Sequence, residues 1–260
     1  MSYSKITYTV EDGVAIITMA DPGTLNSADP AMVEELAAAF GVASREARCV
    51  ILTGAGRAFS SGASLSVDGV GASGGALDVG AVLESHFNPL VSQLRDLPIP
   101  FVTAVNGAAA GVGCSFALLG DLIVAGESAY FLQAFRRIGL VPDGGATYLL
   151  PRMLGRARAM ELMLLGDKLA AAKALEWGLI NRCVPDAELM PTARALARDL
   201  AQGPKALGMI RKLAWDSLDA QWQDQLQAER EMQRDAGATN DFMEGLAAFL
   251  QKRKAEFKGD

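Results

Sequence analysis

Two stretches crowded with glycine, alanine and serine could do chemistry with bare backbone: Gly56-Arg-Ala-Phe-Ser-Ser-Gly-Ala-Ser-Leu65 and Val105-Asn-Gly-Ala-Ala-Ala-Gly-Val-Gly-Cys114. Each follows a β-rich run, and small side chains let a ligand reach the main chain there. The second leads almost at once into helical spacing, so unpaired N–H groups at a helix start would face the turn. Two such groups from separate strand ends could converge on one oxygen as an oxyanion hole, each donor supplying about 3 to 4 kcal/mol of transition-state stabilisation. A carboxylate follows in Gly139-Leu-Val-Pro-Asp143-Gly-Gly145. Spacing alone reads Asp143 as turn chemistry, with its side chain capping a helix through Leu149.

Three other features invite a chemical reading and are set aside. Gly69-Val-Gly-Ala-Ser-Gly74 fits a dinucleotide fingerprint, but no convincing strand precedes it. Gly71-Ala-Ser73-Gly-Gly75 has the spacing of a nucleophile elbow, yet His86, the sole histidine, lies just downstream rather than late in the chain. His86 itself reads as a helix residue with one polar contact.

The elements that must position these residues alternate. Apolar β-rich runs at 14–19, 49–53, 101–105 and 122–124 are separated by helical spacing, which argues an α/β fold. The clearest helix opens with Asp29 as N-cap and Pro30 in its first turn, then places Val33, Leu36, Ala37 and Phe40 on one face. Residues 101–120 carry no charge, but Asn106, Ser115 and the glycines argue a buried strand, a turn and a buried helix instead of a membrane span. Residues 66–80 read as a Gly/Ser/Ala-rich loop, and beyond Pro185 helical spacing dominates.

Composition bounds the function. Of 260 residues, 50% are hydrophobic and 21% charged, enough to bury a substantial core, and the net charge of −6 disfavours nucleic acid as the main partner. Three scattered cysteines and one histidine offer neither a disulfide framework nor a metal site. The opening Met1-Ser-Tyr-Ser-Lys-Ile6 does not read as a signal peptide, so a cytoplasmic location is expected.

Several motifs in order resemble the crotonase (enoyl-CoA hydratase/isomerase) superfamily: Leu25-Asn-Ser-Ala28, Arg57-Ala-Phe-Ser-Ser-Gly-Ala63, Ala104 to Cys114, Gly139 to Gly145 and Phe249-Leu-Gln-Lys-Arg-Lys254. Residues 149–160, with Leu164-Leu-Gly166 and Glu176-Trp-Gly178, look most like the branch containing 1,2-epoxyphenylacetyl-CoA isomerase. The resemblance implies an α/β fold, a crotonase-like spiral of ββα turns over residues 1–185. A C-terminal helical trimerisation region over 186–260 would build a homotrimer or hexamer. By position, the N–H groups of Ala63 and Val112 would hold an acyl-CoA thioester oxygen. Leu25, Ala28 and Leu65 would lie beside the CoA adenine, Gly111 and Phe135 would line the site, and Lys252 would reach the phosphates from a neighbouring subunit.

The departures shape the expected reaction. Relatives that add water use two glutamates, and the matching positions here hold Ser115 and Phe135. Asp143 matches the aspartate with which family isomerases shuttle a proton. The resemblance therefore implies an acyl-CoA isomerase that needs no metal or redox cofactor, CoA arriving with the substrate, and neither membrane nor nucleic acid as a partner. Burial among Phe135, Leu140 and Val141 is expected to raise the Asp143 pKa. The alternatives are a hydratase with relocated acids, such as Asp68 or Glu84 beside Asp143, and a non-catalytic acyl-CoA-binding homologue.

Overall fold

The computed structural model describes residues 3–64 and 78–260. The strand β1 (Ile6–Glu11) turns back antiparallel into β2 (Val14–Met19), and α1 (Pro30–Glu46) follows. The Asp29 carboxylate accepts the Met32 N–H, the N-cap expected from sequence. Three pairs of strands come next: β3 (Cys49–Gly54) with β4 (Ala58–Ser60), β5 (Phe101–Val105) with β6 (Ala108–Ala110), and β7 (Leu122–Gly126) with β8 (Tyr130–Leu132). Between them lie α2 (Val79–Val82), a π-helical turn (Leu83–Phe87), α3 (Asn88–Arg95) and α4 (Val112–Leu118). Then come α5 (Ala146–Leu154), α6 (Arg156–Leu165), β9 (Lys168–Ala170), α7 (Ala171–Glu176) and β10 (Arg182–Val184). The chain finishes with α8 (Leu189–Ala201), α9 (Ala206–Asp216), α10 (Trp222–Gly237) and α11 (Asn240–Gln251).

Each pair divides its strands between two sheets, so the chain advances as a spiral. The larger sheet runs β1-β2-β3-β5-β7-β10, parallel from β2 onward, and the smaller runs β4-β6-β8-β9, parallel from β4 to β8. The larger sheet is covered on both faces, which is why its strands read as unbroken apolar runs. Ala15, Ile17, Val50, Leu52, Phe101 and Val105 join the main core with α1, α3 and α4. The alternate residues Val14, Ile16, Cys49, Ile51, Val102 and Ala104 face α8, whose Leu189, Ala193, Ala197 and Ala201 recur every four residues along one stripe. Alanine there lets the helix lie close on the sheet, so α8 serves the core while the helices after it stand further out.

α9 is held by one buried cation. Arg211 donates to the Asp121 carboxylate at 2.7 Å and to the carbonyls of Leu94, Arg95 and Leu97 at the end of α3. Buried Asp241 accepts main-chain N–H groups from Lys205, Lys258 and Gly259, tying α11 to the start of α9 and to the tail. Much of the apolar surface of α10 and α11 is uncovered in the single chain: Trp222 is 72%, Phe249 80% and Leu250 71% exposed. No helix among the described residues is long and apolar enough to cross a membrane.

Candidate active site

The first glycine-rich stretch is shaped by a side chain whose role sequence reading missed. Asn26 is fully buried in the left-handed region (φ +56°). Its Nδ2 donates to the carbonyls of Ala55 and Ala58 at 2.9 and 2.8 Å, and its Oδ1 accepts the Asp21 N–H. Ser60 Oγ answers by donating to the Asn26 carbonyl at 2.7 Å. Asparagine is the non-glycine residue best suited to that backbone, and it makes the bonds the turn needs. The signals in the sequence were an asparagine before the first helix, which alone predicts a turn, and its place in the motif Leu25-Asn-Ser-Ala28, which gave it no role.

This staple aims the next residues. Ala28 N–H donates to the Gly62 carbonyl and Ser64 N–H to the Ala28 carbonyl, so both groups flanking Ala63 point toward Ala28. The Ala63 N–H therefore projects from the opposite edge, the one along which β4 pairs with β6. The β6 strand ends at Gly111 (φ +52°), and a β-carbon added there would lie 3.8 Å from both Gly62 Cα and Phe135 Cζ. The space would admit a methyl group, but a backbone at φ +52° and ψ −130° is one that glycine adopts readily and other residues do not. The ladder of α4 begins with Cys114 and Ser115 N–H donating to the Gly111 carbonyl. Neither the Ala63 nor the Val112 N–H has an acceptor among the described residues. Leu25, Ala28, Gly111, Val112 and Phe135 are thus brought together with Ala63 around the ends of two neighbouring strands.

The turn that carries Asp143 packs on the start of α4, the helix that follows Gly111. A β-carbon on Gly144 would meet Ser115 Cβ at 2.8 Å and Val112 Cγ2 at 3.0 Å, so the residue after Asp143 packs directly on the first turn of α4. Ser115 Oγ donates to the Asp143 carbonyl at 2.9 Å. The capping role read from spacing is overturned: α5 begins after Gly145 with no side-chain cap, and Asp143 Oδ1 is buried without a hydrogen-bond partner. Burial alone pushes this carboxyl up to about 6. Two of the residues expected to cause that burial are themselves exposed. Val141 is 79% exposed and Leu140 38%, because the Gly139 turn carries them outward, whereas Phe135 is buried.

The other expected residues lie apart or beyond view. Leu65, Asp68, Ser73 and both remaining glycine motifs fall outside the described residues. Lys252 ends α11 in the left-handed region (φ +54°) and is exposed. His86 lies in the π-helical turn, 2.7 Å from Ser85 Oγ and 3.5 Å from the Glu34 carboxylate, and Glu84 of the same turn is exposed. Ser115, named in sequence for the carboxylate it lacks and as a polar break in an uncharged run, donates a hydrogen bond to the Asp143 carbonyl.

Residues 9–260 match the family model described as enoyl-CoA hydratase/isomerase. The chain belongs to that family. It is 46% identical over 254 residues to the 1,2-epoxyphenylacetyl-CoA isomerase of Escherichia coli K12, covering 96% of this chain and 97% of that one. It is 44% identical over 260 residues to a probable enoyl-CoA hydratase of Rhodobacter capsulatus, covering the whole of both. Among solved structures, enoyl-CoA hydratase subunit I of Geobacillus kaustophilus HTA426 superposes with a TM-score of 0.91 at 35% identity, covering 99% of each chain. The spiral of strand pairs is therefore the crotonase fold, and membership in the hydratase/isomerase family makes acyl-CoA thioesters the class of substrate. The two curated relatives, one an isomerase and one a hydratase, stand at nearly equal identity, so the choice between those reactions rests on the residues of the site.

Proposed function

We propose that this member of the hydratase/isomerase family is an acyl-CoA isomerase working through a thioester enolate. The observation that carries the reading is the Asp143 carboxylate: buried, uncapped, pushed up to about 6, and joined through Gly144 to the helix turn that begins with Val112. In the proposed scheme the N–H groups of Ala63 and Val112 hold the thioester oxygen. Negative charge develops there as a proton leaves the adjacent carbon, and fixed amides stabilise it without reorganising. Asp143 takes that proton and returns it two carbons further along, so that a 3-enoyl thioester becomes a 2-enoyl one. With a ring-epoxide thioester the same enolate would lead to ring rearrangement. Protons and electrons balance within the substrate, so the scheme calls for no metal or redox cofactor, and CoA is carried by the substrate itself.

A base poised near 6 is mostly ionised at neutral pH and still gives its proton back readily. Addition of water needs a second group to position and activate it, and Ser115 and Phe135 supply no carboxylate. Leu25 and Ala28 adjoin the Ala63 edge and would flank the CoA adenine together with Leu65. Lys252 is proposed to reach the phosphates of a CoA bound in a neighbouring subunit. The uncovered faces of α10 and α11 support assembly as a homotrimer or a pair of trimers.

The test is a turnover screen with crotonyl-CoA, a 3-enoyl-CoA and a ring-epoxide thioester, with Asp143→Asn as control. Isomerisation that Asp143→Asn lowers by several orders of magnitude supports the scheme. Fast hydration of crotonyl-CoA without isomerisation overturns it, and binding of thioesters without turnover would favour a non-catalytic homologue.

A further inference from the structure

Asp143 sits between Pro142, whose ring fixes only its own φ, and a pair of glycines that lend the turn little stiffness. The two residues after it are Gly144 and Gly145, with φ of +59° and +83°, and the exposed Leu140 and Val141 before it pack on little. Something outside the turn must fix where the carboxylate points. Ser115 is fully buried at the middle of α4, where a serine hydroxyl ordinarily donates back to the carbonyl four residues earlier in its own helix. That carbonyl, Gly111, already accepts the N–H groups of Cys114 and Ser115. The Ser115 hydroxyl instead leaves its helix and donates to the Asp143 carbonyl, 28 residues on.

Ser115 also follows Val112 by three positions on the same helix, which places the two on one face about one turn apart. Gly144 nests against both, within reach of Ser115 Cβ and Val112 Cγ2. We propose that Ser115 is a positioning residue for the isomerase reaction. It tethers the main chain of Asp143 to the helix that presents the Val112 N–H, fixing the separation between proton carrier and oxyanion donor. This inference rests on the reading of Asp143 as the base. No charged side chain among the described residues contributes to the Asp143 shift, so the carboxyl's affinity for its proton depends on how well the turn stays closed.

The Asp143 carbonyl keeps a second donor, the Ala146 N–H at 3.1 Å, so cutting the tether should leave the fold intact. In Ser115→Ala, kcat for a 3-enoyl-CoA is expected to fall by about 10- to 100-fold, the cost of a misplacement near 1 Å, with KM changed by less than about threefold. The acidic limb of the kcat–pH profile should move down toward an ordinary carboxylate as water reaches the side chain. Ser115→Thr, which keeps the hydroxyl, should recover most of kcat and the original limb. Ser115→Cys, similar in size but a weaker donor, should behave like Ser115→Ala.

A Ser115→Ala enzyme with unchanged kcat and limb, even at a lower melting temperature, overturns the inference. So does Ser115→Cys matching the wild type in both. Asp143→Asn separates this from the larger reading. If that variant is inactive while Ser115→Ala is normal, the isomerase stands and the tether falls; if Asp143→Asn retains activity, both fall.

Discussion

Ser60 and Asn26 hold each other through main chain and side chain at once: the Ser60 hydroxyl donates to the Asn26 carbonyl at 2.7 Å, and Asn26 Nδ2 donates to Ala58 at 2.8 Å, two residues before that serine. The edge bearing the Ala63 N–H is the continuation of this clasp, so the geometry of a proposed oxyanion donor is set by side chains that touch no substrate.

Replacing Asn26 with alanine removes the donor to the Ala55 carbonyl, leaves the Ala58 carbonyl with Asn106 Nδ2 alone at 3.2 Å, and places an unsuited residue at a positive φ. Urea unfolding should show a loss of about 3 kcal/mol. The proposed isomerase activity per folded molecule should fall as well, since the Ala63 edge loses its anchor. A variant as stable and active as the wild type would show that the turn holds itself.

Asp143→Asn should make the protein more stable while stopping its chemistry. The native carboxyl titrates near 6, above the ordinary carboxylate value, so the folded state holds the proton more tightly than the unfolded chain. Stability contributed by this group is therefore present at low pH and is lost as pH rises from about 4 through about 6. At pH 7.5 the asparagine variant should gain about 1 to 2 kcal/mol, allowing for partial solvent screening, and at pH 4 the gain should vanish. Melting curves at the two pH values check this. The wild-type rate should rise with pH through an acidic limb near 6.

One substitution at two glycines should act in opposite directions. A β-carbon at Gly113 would lie 2.6 Å from Ser60 Cβ and 2.7 Å from the Ser60 carbonyl, where α4 meets β4. Gly113→Ala should cost about 1 to 3 kcal/mol by overpacking and lower kcat by prising the helix from the strand end. At Gly237, the last residue of α10, nothing lies within 4 Å, and Gly237→Ala should add about 0.5 to 1 kcal/mol with no kinetic effect.

Arg211→Met removes the cation that pins α9 to the end of α3 and leaves the Asp121 carboxylate short of its main partner. The expected loss is about 3 to 5 kcal/mol at pH 8. Burial already raises the Asp121 pKa despite Arg211, and without the guanidinium it will rise further. The deficit should therefore shrink as pH falls and the carboxyl becomes neutral, which chemical denaturation at pH 8 and pH 5 would reveal. A loss equal at both values would place the effect in packing and in the three carbonyls that Arg211 no longer reaches.

Much of the fold was legible because its signals are local and strong. The apolar runs of β2, β3, β5 and β7 read cleanly, since a parallel sheet buried on both faces leaves little room for polar residues. Asp29 and Pro30 announced α1 because a helix start is chemically distinctive. The site was legible only as separate pieces. Spacing assigned Asp143 a cap, since whether a carboxylate turns to its own helix or into a cavity depends on residues far away in sequence, here Ser115 and Val112. The same holds for Asn26, whose bonds reach 29 and 32 residues along the chain. Exposure of Leu140 and Val141 was equally hidden, because hydrophobicity does not tell which way a glycine turn will carry a side chain.

Seven residues make up α4, and from that one short rod project the Val112 amide and the Ser115 hydroxyl that holds the Asp143 main chain, while Ala63 stands beyond the neighbouring strand β4. A shift of α4 against β4 would therefore carry the proposed proton carrier and one amide together and leave the other amide behind. The seam where Gly113 meets Ser60 is the place at which a small displacement would cost the proposed reaction most.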